Sequence, residues 1–310
     1  MQRLDGGSAV PAHLRGAIVA LGNFDGFHAG HQAVVGRAVA RARAEGRPAI
    51  VATFDPHPMR FFRSDTPPFR LTTLDQRQEL FEAAGADAML VYGFDAGLAA
   101  LPARAFVEQR LLALAGAGGV VTGADFTFGK GRDGDVGVLA SLGAEHGFSV
   151  DTVAPVAGEG GVVSSSRIRE HLRAGEPRAA AALLTRPFSI RGVVEHGAKL
   201  GRQLGYPTAN LTLGNYLRPR YGIYAVRATV DDGRRLEGAA NLGVRPTIEG
   251  QATELLEPYF FDFDGDLYGR TLDVALIDFI RPEAKFDGLD ALNAQMARDC
   301  DAARLALSTA

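Results

Sequence analysis

The chain has 310 residues, 46% of them hydrophobic and 22% charged, with a formal net charge of −3. These values describe a globular protein long enough for two domains with separate cores. They exclude a global basic field for nucleic acid or an anionic membrane, so no nucleic-acid or membrane partner is expected. The single cysteine, Cys300, cannot form an internal disulfide and fits a reducing compartment. The apolar stretch around Leu111 to Val121 is too short and glycine-rich to span a bilayer. A cytoplasmic location is expected.

The first half alternates short apolar runs with helical patterns. Strands are expected at Ala17–Leu21, Ala49–Phe54, Ala88–Tyr92, Gly119–Thr122 and Ser149–Val153, and helices near Gly30–Glu45, Thr73–Ala84, Pro102–Ala115 and Val136–Gly147. Such alternation predicts a Rossmann-like α/β domain, a parallel sheet with helices on both faces. Its functional loops should lie at the carboxyl ends of the strands. The first of these loops reads GNFDGFHAGH, Gly22 to His31. Backbone N–H groups at the start of the following helix, with its dipole, make an anion site. His28 and His31 lie one turn apart on the same face. They lack the spacing and the glutamate of the HExxH zinc pattern, and no third ligand stands at convincing spacing, so phosphate is favoured over metal.

Three more blocks follow strands or open a helix. Thr53 to Phe62, TFDPHPMRFF, is a rigid loop with prolines on both sides of His57. Gly123 to Asp135, GADFTFGKGRDGD, mixes glycines, two aromatics and a lysine, which suits a loop that binds a ring beside a cation. Ser164 to Arg169, SSSRIR, combines capping serines with arginine forks suited to phosphate.

After two short helices, Ser166–Ala174 and Pro177–Leu184, the rhythm changes. Strands are expected at Phe188–Glu195, Ile223–Val230, Gly238–Leu242, Leu255–Phe263 and Thr271–Ile280, with hairpin-type turns at Asp232-Gly233 and Asp264-Gly265. This predicts an antiparallel β-barrel or sandwich. A closing helix, Leu289–Leu307, carries an apolar stripe suited to packing against it. The boundary falls near Arg186, giving domains 1–185 and 186–310. In HGAKLGRQLGYPTANL, His196 to Leu211, Thr208 and Asn210 would share a face of an extended chain and could hold Mg²⁺ beside phosphate oxygens. Glu257 stands in an apolar strand, where burial would raise its pKa toward a base's working range, with Glu254 as the rival carboxylate. Pro258 beside it predicts a bulge or an edge.

These ordered motifs together resemble the bacterial bifunctional riboflavin kinase/FMN adenylyltransferase (FAD synthetase) family over nearly the whole length. The first half matches GNFDGxHxGH, FxPHP, DFxFGxGRxGD and SSxxIR. The second matches HGxxLGRxLGxPTANL, NLGVRPT at Asn241–Thr247, DFDGDLYG and KF. All lysines, Lys130, Lys199 and Lys285, fall in or beside these segments. The resemblance implies that the C-terminal domain phosphorylates riboflavin to FMN with ATP, releasing ADP. The N-terminal domain would then transfer AMP from a second ATP to FMN, giving FAD and pyrophosphate. Both steps would use Mg²⁺. It further implies an adenylyltransferase ATP site at Gly22, Asn23, Phe24, Asp25, His28, His31, Ser164 and Arg167, with a flavin wall at Asp125, Phe126 and Phe128. The kinase ATP site would comprise Gly197, Lys199, Gly205, Pro207, Thr208 and Asn210, with Thr208 and Asn210 on Mg²⁺ and Glu257 as base. Against the family pattern, Asp55 stands where Glu is common and Ser166 where Thr is common. Homo-oligomeric assembly is left open. The alternatives are an adenylyltransferase with another acceptor and a non-catalytic ligand-binding barrel, or a flavin-binding module without turnover.

Overall fold

The computed structural model describes residues 1–196, 205–246 and 252–309. The chain forms two compact units. One comprises Met1–Thr66 and Thr72–Ser164, the other Pro67–Leu71 and Ser165–Ala310.

In the first unit six parallel strands run in the order β1-β4-β3-β2-β5-β6. They are β1 (Gln2–Asp5), β2 (Ile18–Leu21), β3 (Ala49–Asp55), β4 (Ala88–Gly93), β5 (Gly119–Gly123) and β6 (Ser149–Val153), and a short separate hairpin of β7 (Ala157–Gly158) and β8 (Gly161–Val162) follows. The connecting helices are α1 (Ala29–Glu45), α2 (Pro58–Phe62), α3 (Leu74–Ala83), α4 (Ala96–Ala99), α5 (Ala103–Phe106, continuing with π-helical pitch over Val107–Leu114) and α6 (Val136–His146). Alternate strand residues feed two cores. Val19 and Leu21 pack on one face of the sheet with Ile50, Leu111 and Leu139; Ile18 and Ala20 pack on the other with Val35, Val39 and Phe81. Covering both faces is why β2 reads as a continuous apolar run rather than an alternating one. Edge strand β1 carries no such run and was not expected from the sequence. It is held by parallel pairing to β4.

The chain leaves β2 toward β3 on one side, while β5 joins β2 on the other. The strand order therefore reverses between β2 and β5, and a doubly wound sheet opens its ligand crevice at such a point. Two loops meet there by topology: residues 22–28 after β2 and residues 124–135 after β5.

The second unit begins with α7 (Ser165–Ala174) and α8 (Pro177–Leu184). Six antiparallel strands follow, in the order β10-β13-β12-β11-β14-β9. They are β9 (Phe188–Val193), β10 (Leu211–Thr212), β11 (Gly222–Val230), β12 (Arg235–Pro246), β13 (Ala252–Phe260) and β14 (Thr271–Arg281). The two outermost strands meet through a bridge in which the Glu195 amide donates to the Asn210 carbonyl at 2.9 Å, nearly closing a barrel. Asp232-Gly233 forms the expected β11–β12 hairpin, with Gly233 at φ +87°. Asp264-Gly265 does not form one. β13 ends at Phe260, Asp262 turns the chain at φ +53°, and the segment crosses to β14, which is not a neighbour of β13.

The closing helix α9 (Leu289–Ser308) packs on the outer face of the barrel. Ala303 and Leu307 are buried with Ala225, Ala239, Phe261 and Ile277.

Candidate active sites

The loop after β2 is held from beneath. The Asp25 carboxylate is buried and accepts from the Thr72 amide at 3.0 Å and the Thr72 hydroxyl at 3.3 Å, while the Gly26 amide donates to Thr72 Oγ1 at 2.9 Å. The Asn23 carbonyl accepts from Thr53 Oγ1 at 2.8 Å and from Arg77 at 3.2 Å. These ties hold a turn with φ of +51° at Phe24, +86° at Gly26 and +43° at Phe27. Only the glycine adopts such a φ without steric cost, so contacts must over-determine the two phenylalanines. Phe24 and Phe27 are in turn packed edge-on against Phe81.

The turn delivers His28 to the N-cap of α1, where its Nδ1 accepts from the His31 amide at 3.3 Å. That bond assigns the neutral ring's proton to Nε2. The two imidazoles stack with centroids 3.6 Å apart, and Phe24 meets His31 edge-on. A Cβ on Gly30 would stand 3.1 Å from the His28 ring and 3.8 Å from the Val163 carbonyl. The segment leading into Ser164 therefore runs beside the start of α1. Ser164 closes the first unit, whereas Arg167 belongs to the second.

The loop after β5 is shaped by reciprocal bonds between Phe128 and Gly134 (2.9 and 3.0 Å). Phe126 and Phe128 stack in parallel at 5.7 Å, and Asp125 is exposed beside them. Ring contacts continue from Phe128 to Phe106, Phe54, Phe94 and Phe62. Phe62 ends this series 67% exposed.

In the second unit a cavity of about 320 Å³ lies between the outer face of the barrel and α9. That is the scale of a small-molecule site. Glu257, Thr208 and Asn241 give it one polar wall. Leu292, Met296 and Cys300, the middle of the α9 stripe, give it an apolar one. Asn241 stands directly opposite Glu257 in the β12–β13 register. The rival carboxylate lies elsewhere. Glu254 accepts from Arg218 at 2.7 Å and from the Tyr221 hydroxyl. Burial works against its charge, but these hydrogen bonds hold Glu254 below the ordinary range, and burial together with the bond to Glu254 pushes Tyr221 up to about 12. A carboxylate so held is a poor proton acceptor.

Pro258 makes no bulge: the β12–β13 register runs unbroken across it. Its carbonyl accepts from the Ala209 amide at 2.9 Å. A residue's N and O point to the same side of a strand, so its missing N–H also faces the 208–209 segment and costs β12 nothing. There the outer neighbour has dwindled to a single bridge, Thr208 to Tyr259.

Asn210 does not line the cavity. Its Oδ1 is buried, with no hydrogen-bond partner among the described residues. Gly205 and Pro207 are exposed, and Gly197 and Lys199 lie outside the described residues.

The family model described as FAD synthetase matches residues 10–167, and that described as riboflavin kinase matches residues 184–307. The chain belongs to the bifunctional riboflavin kinase/FMN adenylyltransferase family. It is an enzyme with both activities. The relative from Pseudomonas fluorescens carrying that description is 41% identical over 294 residues, 95% of this chain and 94% of its own. That from Escherichia coli K12 is 39% identical over 285 residues, 92% and 90% of the two chains. A crystal structure from Streptococcus pneumoniae, described as a macrolide-efflux protein, covers 98% of this chain and 99% of its own at 30% identity and a TM-score of 0.87. Among the described residues here, no helix is long and apolar enough to cross a membrane.

In this bifunctional enzyme the sequence motifs include Thr53 and Asn241 but not their roles, beneath the first loop and opposite Glu257, and they include neither Thr72 nor Arg77. The sequence assigns Arg77 no role of its own. Its burial, at 3% exposed, is a tertiary property.

Proposed function

We propose that each activity belongs to one of these sites, with the functional boundary near Arg186. The matched family ranges and the start of β9 at Phe188 support that boundary. The observation that carries the kinase assignment is Glu257 on a cavity wall beside Thr208, while Glu254 is held by Arg218 and Tyr221. Glu257 takes the proton from the 5′-hydroxyl of riboflavin as that oxygen attacks the γ-phosphorus of ATP, with ADP leaving. The isoalloxazine lies against Leu292, Met296 and Cys300. Thr208 and Asn210 would hold Mg²⁺, since both offer neutral oxygens that suit a hard cation; Thr208 lines the cavity, and Asn210, off its wall, has a buried Oδ1 without a hydrogen-bond partner among the described residues. When bound, the ion offsets charge on the phosphates.

In adenylyl transfer the FMN phosphate is already an anion and needs no base. Its oxygen bonds to the α-phosphorus of ATP while the bond to pyrophosphate breaks. The α1 N-terminus, with Gly22, Asn23 and the imidazoles of His28 and His31, supplies donors to the charge that passes to pyrophosphate. Ser164 holds the triphosphate tail. Asp25 acts through the loop it anchors. The flavin rests against the loop that carries Asp125, Phe126 and Phe128.

The test is product analysis on the full chain: riboflavin with Mg-ATP, FMN with Mg-ATP, and each without Mg²⁺. FMN and then FAD from the first, FAD and pyrophosphate from the second, and no product without the ion are expected. FAD without FMN formation would leave an adenylyltransferase with a non-catalytic barrel.

A further inference from the structure

Arginine is almost never fully buried unless it is paired, because sequestering its charge is costly until partners offset it. Arg77 on α3 is nevertheless 3% exposed. Its position explains the burial. It donates to the Asn23 carbonyl at 3.2 Å and to Thr53 Oγ1 at 3.0 Å, and it stands 3.6 Å from the Asp55 carboxylate. Thr53 Oγ1 donates to the same Asn23 carbonyl at 2.8 Å. Asn23 lies in the loop after β2, and Asp55 heads the loop after β3. One guanidinium thus spans the ends of two neighbouring strands.

The consequences differ at the two ends. At Asn23, two donors fix the carbonyl immediately before Phe24, the first left-handed residue of the turn. Rotating that carbonyl would rotate the next amide plane and shift the whole 24–28 backbone that places His28 at its cap. At Asp55, the cation faces a carboxylate standing at the carboxyl edge of the sheet, where a triphosphate must approach. Left unpaired, that carboxylate would repel the substrate.

We propose that Arg77 is a positioning residue for adenylyl transfer, setting the phosphate loop through the Asn23 carbonyl and masking Asp55 from the triphosphate. The proposal rests on the assignment of the ATP site to this loop. It adds a residue that touches neither substrate.

The experiment compares R77M, R77K, T53V and the double variant R77M/D55N in the full chain, with FMN formation from riboflavin as an internal control. R77M should lower kcat/KM for ATP in FAD formation about 100-fold, the scale of a small misplacement of reacting groups. KM for FMN and the kinase activity should stay unchanged. R77K keeps the charge but not the planar fork, so it should restore KM for ATP more than kcat. R77M/D55N should bind ATP about tenfold more tightly than R77M, because the unmasked charge is gone. Amide exchange in residues 23–28 should quicken in R77M and T53V alike.

Wild-type rates of FAD formation in R77M would overturn the proposal, as would parallel loss of ATP and FMN affinity with a lowered melting temperature. Should R77M not fold, T53V decides: slower adenylylation with intact phosphorylation supports the role, and no change overturns it. Absence of FAD formation in the wild type would instead overturn the assignment of the site itself.

Discussion

The loop after β2 in the first unit and the cavity of the second are built in opposite ways. The loop is one stretch of chain, Gly22 to His31, whose own residues supply the cap, the stacked rings and the left-handed turn, with Thr72, Thr53 and Arg77 bracing it from below. The cavity draws Thr208, Asn241, Glu257 and the face of α9 from four separate segments, and no one of them encodes the site. In the first, function is concentrated in local geometry and tertiary structure adds support. In the second, tertiary structure makes the site, and local geometry decides only which way each side chain faces.

The strongest test of that contrast is to remove one group from each. E257Q keeps the size of the side chain and loses the proton acceptor. FMN formation should fall by roughly 10²–10⁴-fold, the usual worth of a general base. FAD formation from supplied FMN should persist. Retained phosphorylation would move the base away from Glu257, to Glu283 on the same cavity or to Glu254 off it.

His28 performs two tasks, capping α1 and presenting an imidazole, and they can be separated. Asparagine is a good N-cap, so H28N should melt near the wild-type temperature. It should lose roughly 10²–10³-fold in kcat for FAD formation, the cost of removing one donor to developing charge, with riboflavin phosphorylation unaffected. A fall in stability without a fall in turnover would reduce His28 to a cap.

What could be read in the sequence follows the same division. The parallel sheet, the helices near Thr73–Ala84 and Val136–Gly147 and the loop after β2 all rest on local patterns: buried apolar runs, helical periodicity and glycine spacing. The structure reproduces them, with Thr73 in a full capping box. β1 and β10 were not legible. Gln2–Asp5 and Leu211–Thr212 are too short to show a period, and pairing alone makes them strands. Asp264-Gly265 carries a hairpin signal but joins strands that are not neighbours, which no local rule can detect. Pro258 was legible as an anomaly. The direction its missing donor faces depends on Ala209, distant in sequence. Likewise the α9 stripe reads as uniform. In the fold its end, Ala303 and Leu307, is core, its middle lines the cavity, and Leu289 is 59% exposed.

A smaller effect is expected beneath the loop. T72V removes the hydroxyl that accepts from Gly26 and donates to Asp25, leaving buried groups short of partners. The cost is about 1–3 kcal/mol, which lowers the melting temperature by a few degrees. FAD formation should weaken more than FMN formation. Equal weakening of both would mean that the loop's bracing is not local to the first site.

The smallest effect sharpens the other side of the comparison. Burial, with Asp299 adding to it, pushes the Cys300 thiol up to about 11. An unfolded cysteine titrates near 8.5. Below that pH both states keep the proton. Between there and pH 11 the unfolded chain loses its proton first, so the stability associated with the neutral folded thiol declines as pH rises. The melting difference between wild type and C300S should therefore shrink from pH 8 to pH 10. Because the thiolate is the reactive form, iodoacetamide should label the folded protein slowly at pH 8. Cys300 lines the same wall as Met296, so riboflavin should slow labelling further while FMN adenylylation proceeds in the alkylated protein. Labelling as fast as that of an unfolded thiol, and indifferent to riboflavin, would place the flavin away from α9 and break the link between the stripe and the cavity.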